Sequence, residues 1–255
     1  MTIPVVLTAF GTTEKAFSTY ARMDAAFRRL IPETPLYWAY SSRMVRDNLK
    51  KKGGTNPRSP SQVLEDLRKK GHEWAVVQSL HLAWGHEFER LRETAGNTTI
   101  RTSMGLPLLT SFQDYLAVAD ALAYLIPNTD DEAVVFVGHG TDHPAWAVYP
   151  ALENVLCHRY GERVFTGVLE GMPKIEETIA KLKRHGFTKV CLIPFLLVAG
   201  FHFKKDLTLD DFSWEKRLEQ EGIQVRVEPR AMGEIPGIIE IFATHIKEAL
   251  DVIPR

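Results

Sequence analysis

The sequence predicts an α/β protein of two similar βα lobes, each a parallel sheet of about four strands with helices on both faces. Three observations carry that prediction. Short β-branched runs alternate with longer segments whose apolar residues recur at helical spacing. Several of the runs end in glycine, as at Phe10-Gly11 and Val137-Gly138. The order of elements after residue 132 repeats the order before it.

In chain order, Val5 to Phe10 is a first strand ending in Gly11-Thr12-Thr13. Phe17, Tyr20, Met23, Phe27 and Leu30 place a helix over 14–30, stopped by Pro32 and Pro35. Leu36 to Tyr40 is a second strand. The basic polar stretch from Arg43 to Ser59, with Gly53-Gly54 and Pro57, reads as a loop. Ser59-Pro60-Ser61 opens a helix through Leu64 and Leu67 that closes near Gly71. Trp74 to Leu82 is a third strand, running into Ala83-Trp84-Gly85-His86-Glu87-Phe88. Gly105-Leu106-Pro107 turns the chain into a helix over 111–125, and Pro127 to Glu132 is a linker.

Beyond it, Ala133 to Val137 is a buried strand running into Gly138-His139-Gly140. A helix over 146–160, a strand over 164–169 ending at Glu170-Gly171, and a helix over 172–185 follow. Lys189 to Val198 is a strand entering Ala199-Gly200-Phe201-His202. A strand at 225–228, a turn at 233–236 and a helix over 238–252 complete the chain. VVLTAFGTT at 5–13 matches VVFVGHGTD at 134–142, and 76–88 resembles 190–203 with Glu87 opposite His202. The lobes divide at 1–128 and 129–255, the last helix being a candidate to pack on the first lobe. A cleft between two such lobes is a natural binding site.

The net charge of −1 gives no global field for nucleic acid or an acidic membrane. No apolar run is long enough to span a bilayer. The start, MTIPVVLTAFGTT, has no basic leader region and reads as a strand rather than a signal peptide. Cys157 and Cys191 match no metal or redox spacing, which fits a reducing compartment. The expected location is the cytoplasm, with neither nucleic acid nor membrane as partner.

Three strand ends of the second half carry ligand-type side chains next to glycine: His139, Glu170 and His202. Strand ends of one parallel sheet share a rim, so these three can converge. Two imidazoles and a carboxylate suit a borderline divalent ion such as Co²⁺, Ni²⁺, Fe²⁺ or Zn²⁺. A single strand-end histidine is more often a hydrogen-bonded structural residue, and a Glu-Gly pair can simply cap the next helix. It is the threefold coincidence that favours metal.

The Gly138-His139-Gly140, Glu170-Gly171 and Gly200-Phe201-His202 motifs, on a duplicated frame opening with Ala9-Phe10-Gly11-Thr12-Thr13, resemble the anaerobic sirohydrochlorin cobaltochelatases of the CbiK type, class II chelatases related to ferrochelatase. The resemblance implies that His139, Glu170 and His202 bind Co²⁺ as substrate metal, with His139 or Glu170 taking pyrrole protons. It also implies that Phe10, Gly11, Thr12, Thr13, Leu82, Trp84, Gly85 and Glu87 contact the tetrapyrrole, sirohydrochlorin or precorrin-2. The implied activity is a lyase-class metal insertion in anaerobic cobalamin biosynthesis without an organic cofactor. Nickel or iron insertion on the same fold, and a non-catalytic metal or tetrapyrrole carrier, stand as alternatives. Arg43, Arg46, Lys204 and Lys205 are candidates to hold substrate carboxylates.

Overall fold

A computed structural model describes residues 2–12, 17–51, 57–129, 131–200 and 205–254. It contains two four-stranded parallel sheets. The chain divides into one unit of residues 1–110 with 238–255 and another of Ser111–Gly237.

In the first unit, β1 (Val5–Ala9), β2 (Leu36–Tyr40), β3 (Trp74–Ser79) and β4 (Arg101–Gly105) run in the order β2-β1-β3-β4. Val6, Ala75 and Val77 pack on one face with Val63, Leu64 and Leu67 of α3 (Pro60–Lys69) and Leu91 of α4 (His86–Gly96). Val5, Leu7 and Ala9 alternate to the opposite face and are equally buried, so the sheet is covered on both sides. Tyr20, Met23 and Phe27 form the buried stripe of α1 (Phe17–Leu30). Helix α3 starts with a capping box: Ser59 and Gln62 each satisfy the other's backbone N–H, and Pro60 occupies the first turn.

The stretch from Arg43 does not remain a loop. Arg43–Lys51 is a helix, α2, with Leu49 buried. No glycine or proline interrupts residues 43–52, so the breakers act only after the helix has formed. The third strand stops at Ser79 rather than Leu82, although the Leu80 N–H still donates to Thr8 at 2.9 Å. Helix α4 and strand β4 fill the interval before Gly105.

In the second unit, β5 (Ala133–Gly140), β6 (Val164–Glu170), β7 (Lys189–Pro194) and β8 (Gln224–Val227) run in the order β6-β5-β7-β8. On one face Val135, Val137, Phe165 and Leu192 pack with Ile175, Ile179 and Leu182 of α7 (Ile175–Arg184) and Trp214 and Leu218 of α8 (Trp214–Gln220). The other face receives α6 (Val148–Tyr160), whose Tyr149 ring fills the space beside Gly138. Helix α5 (Phe112–Leu122) belongs to this unit: the Tyr160 hydroxyl donates to the Ala119 carbonyl at 2.8 Å, and Arg159 pairs with Asp120. The seventh strand is shorter than the apolar run that predicts it, ending at Pro194 rather than Val198.

The final helix α9 (Pro236–Asp251), from Ile238 onward, belongs to the first unit. It buries Ile238, Ile239, Ile241, Phe242 and Ile246, and the His245 ring lies 3.1 Å from the Leu106 carbonyl oxygen. In each sheet the order reverses beside the first strand, β1 or β5. Their carboxyl ends are therefore the places where an open α/β sheet binds ligands.

Candidate metal centre

His139 lies at the carboxyl end of β5 and Glu170 at the end of β6. These are adjacent parallel strands, and Gly140 stands in register with Glu170. Both side chains are exposed, and both line one cavity of about 570 Å³ within the second unit. Both side chains are open to solvent at neighbouring strand ends of that one cavity. The His139 Nδ1 lies 3.4 Å from the Gly140 carbonyl oxygen, too long for a strong hydrogen bond, which leaves the ring available to a ligand.

The glycines around His139 have separate reasons. Gly138 lies so close to Tyr149 that a Cβ would stand 2.3 Å from the ring. Gly140 has a φ of +87°, and a Cβ there would fall 1.7 Å from the Glu170 carbonyl oxygen. The Tyr149 hydroxyl accepts from the Gly140 N–H at 3.1 Å, and burial pushes that phenol above its ordinary pKa.

His202 lies outside the described residues, as do Phe201 and Lys204. The chain leading toward it is tied down: the Phe195 N–H donates to Val137 of β5 at 2.8 Å, and the Leu196 carbonyl accepts from Met232 at 2.8 Å. Among the described residues no three His, Cys, Asp or Glu side chains cluster to hold a metal. His139 and Glu170 are thus two members of a three-member expectation. The thiols offer no substitute, because burial first of all pushes both Cys157 and Cys191 up to about 11 and keeps them protonated.

His143 caps the short helical turn that follows β5, its Nδ1 accepting from the Ala145 N–H at 3.1 Å. The cavity also holds residues that motif reading passed over: Lys174 just ahead of α7, Asp206, Asp210 and the exposed ring of Phe212. Arg217 is engaged with Glu176 at 2.8 Å and Asp210 with Lys205 at 3.4 Å. No motif or spacing in the sequence distinguishes these residues from an ordinary solvated surface.

At the end of the first sheet, Phe10 is 45% exposed, Gly11 half-buried and Thr12 buried. Thr13 lies outside the described residues. Leu82 is half-buried, and Gly85 precedes α4. The Trp84 ring packs edge-on against Phe88 at 4.5 Å, and its indole N–H donates to Glu89 at 2.5 Å. Glu87 accepts from the Ser41 hydroxyl at 3.0 Å and pairs with Arg90 at 2.6 Å. Its carboxylate is therefore anchored from two sides. Arg46 is turned inward onto the Tyr40 and Ser41 carbonyl oxygens, and Arg43 lies 3.7 Å from Asp47. His81 is half-buried: its Nδ1 lies 2.8 Å from the Ser79 hydroxyl, its Nε2 is enclosed, and burial lowers its pKa to about 4.

A family profile described as "Cobalt chelatase (CbiK)" matches residues 4–251. The sirohydrochlorin cobaltochelatase of Salmonella typhimurium is 34% identical over 227 residues, covering 87% of this chain and 85% of that protein. The sirohydrochlorin cobaltochelatase CbiKC of Nitratidesulfovibrio vulgaris is 32% identical over 263 residues, covering 98% of this chain and 91% of that protein. Among solved structures, SirB from Bacillus subtilis with Fe³⁺ superposes with a TM-score of 0.71 at 17% identity, over 98% of this chain and 96% of that one. That likeness concerns the fold.

Proposed function

The chain belongs to the cobalt chelatase (CbiK) family, and from that membership we propose that it inserts Co²⁺ into sirohydrochlorin or precorrin-2. The reaction exchanges one divalent ion for two pyrrole N–H protons. The activity falls in the lyase class, serves anaerobic cobalamin biosynthesis and has the cytoplasm as its place. The observation that carries the reading is the pairing of His139 and Glu170 on adjacent strand ends of one cavity.

In this reading His139, Glu170 and His202 hold the incoming ion. Three protein ligands leave open positions, so the ion can pass to the macrocycle rather than stay. Glu170 offsets part of the ion's charge. One imidazole lone pair cannot hold the metal and take a proton together. His139 therefore accepts a pyrrole proton only after the ion has moved on, or Glu170 takes it. The rim residues of the first sheet, Phe10 to Thr13, Leu82, Trp84, Gly85 and Glu87, contact the tetrapyrrole. Lys174, an exposed cation in the wall of the metal cavity, takes one of its carboxylates.

The test follows metal-dependent absorbance changes of sirohydrochlorin with Co²⁺, Ni²⁺ and Fe²⁺. His139→Ala and Glu170→Ala are expected to lose at least a hundredfold in turnover, and His202→Ala to weaken Co²⁺ capture. Full turnover by both His139→Ala and Glu170→Ala would remove the assignment. Stoichiometric binding without turnover by the unaltered chain would favour a carrier. Lys174→Ala is expected to raise the KM for the tetrapyrrole about twofold to fivefold, the range of a solvated ion pair.

A further inference from the structure

We infer that Tyr149 is a positioning residue for His139: one side chain of α6 grips the backbone on both sides of the histidine and sets its aim. The inference rests on the reading of His139 as a metal ligand.

The Tyr149 ring occupies the place where a side chain at 138 would stand, and its hydroxyl accepts from the Gly140 N–H at 3.1 Å. It therefore touches the residue before His139 and the residue after it. From the other side, the Glu170 carbonyl oxygen fills the Cβ position of Gly140. The peptide carrying His139 is held between these two. A ligand on the last residues of a strand, with one strand neighbour beyond it, would otherwise swing with that end.

Tyr149 is itself fixed. It is 9% exposed, and its carbonyl accepts from the Thr166 hydroxyl at 3.1 Å. The Thr166 N–H donates to Glu153 at 2.7 Å, and Glu153 also pairs with Lys181 of α7. Thr166 lies four residues before Glu170 on β6, so the clamp is referenced to the strand that carries the partner ligand. A ligand set is only as accurate as the groups that support it.

The experiment compares Tyr149→Phe, which keeps the ring and removes the hydroxyl, with the unaltered chain. A lost neutral hydrogen bond predicts about a threefold to tenfold rise in the KM for Co²⁺, with the KM for the tetrapyrrole unchanged. Titration of the free protein with Co²⁺ should show the same weakening without any turnover. Thr166→Val, which loosens the tyrosine from behind, should move the Co²⁺ values the same way by less. Leu152→Ala, a core change in the same helix, is the control: it lowers the melting temperature and should leave both KM values in place. Unchanged Co²⁺ values in Tyr149→Phe, or an equal effect in Leu152→Ala, would overturn the inference. Absence of insertion by the unaltered chain would instead overturn the proposed activity, while the Co²⁺ titration would still judge the clamp.

Discussion

At Gly140 a single methyl group decides whether the ends of β5 and β6 fit together. Any L side chain there meets both an unfavourable backbone angle and the Glu170 carbonyl oxygen. Gly140→Ala is expected to destabilise the fold by roughly 2–4 kcal/mol and to abolish Co²⁺ binding, measured by denaturant melts and metal titration. His81 predicts a pH dependence. Its pKa is lowered to about 4 by burial, against an ordinary 6.5. Below 6.5 the unfolded chain takes up a proton that the folded chain refuses, so stability is complete above 6.5 and falls as pH drops toward 4. The full loss is up to about 3 kcal/mol. His81→Phe should flatten that slope in melts between pH 4.5 and 7; an unchanged slope would rule the histidine out as its source. The strand-end positions of His139 and Glu170 are legible in the sequence because glycines mark those ends. The enclosure of His81 and the reach of Tyr149 are not, because both depend on what packs around them.

At the scale of elements, legibility followed the clarity of local signals. Strands β1, β2 and β6 and the Ser-Pro-opened helix α3 match the bounds that the sequence predicts, whereas the runs of β3 and β7 extend past the strands by three and four residues. The sequence of α2 reads as a loop because its polar composition hides its one buried residue, Leu49. Helices α4 and α8 and strand β4 lack a local marker strong enough to call; Arg101–Gly105 is mostly half-buried and carries no β-branched run. The capping boxes give a test. Ser111 and Asp114 close the start of α5 through mutual hydrogen bonds. Ser111→Ala is expected to cost about 1 kcal/mol and to speed amide exchange in the first turn of α5. No change in either would show that the cap contributes nothing there.

At the scale of the molecule, the last helix belongs with the first sheet and α5 with the second. Helix α9 buries five large apolar side chains, worth roughly 10 kcal/mol as an upper estimate, which a piece lacking its sheet would expose. A fragment spanning 111–237 is therefore expected to unfold cooperatively and to bind Co²⁺. A fragment spanning 129–255 should not fold, since it lacks α5 and bares α9. Denaturant melts of the two fragments check this, and equal stability would refute the division. Among the described residues no helix is long and apolar enough to cross a membrane.

The sequence by itself determined the alternation of strands and helices, the two parallel sheets, and the strand ends that carry His139 and Glu170. Those features are written in side-chain periodicity and in glycine, which act over a few residues. Tertiary structure alone decided that α5 joins the second sheet, which basic groups are already engaged, and what packs around His139. Such matters arise from contacts between residues far apart in the chain, and no local pattern encodes them.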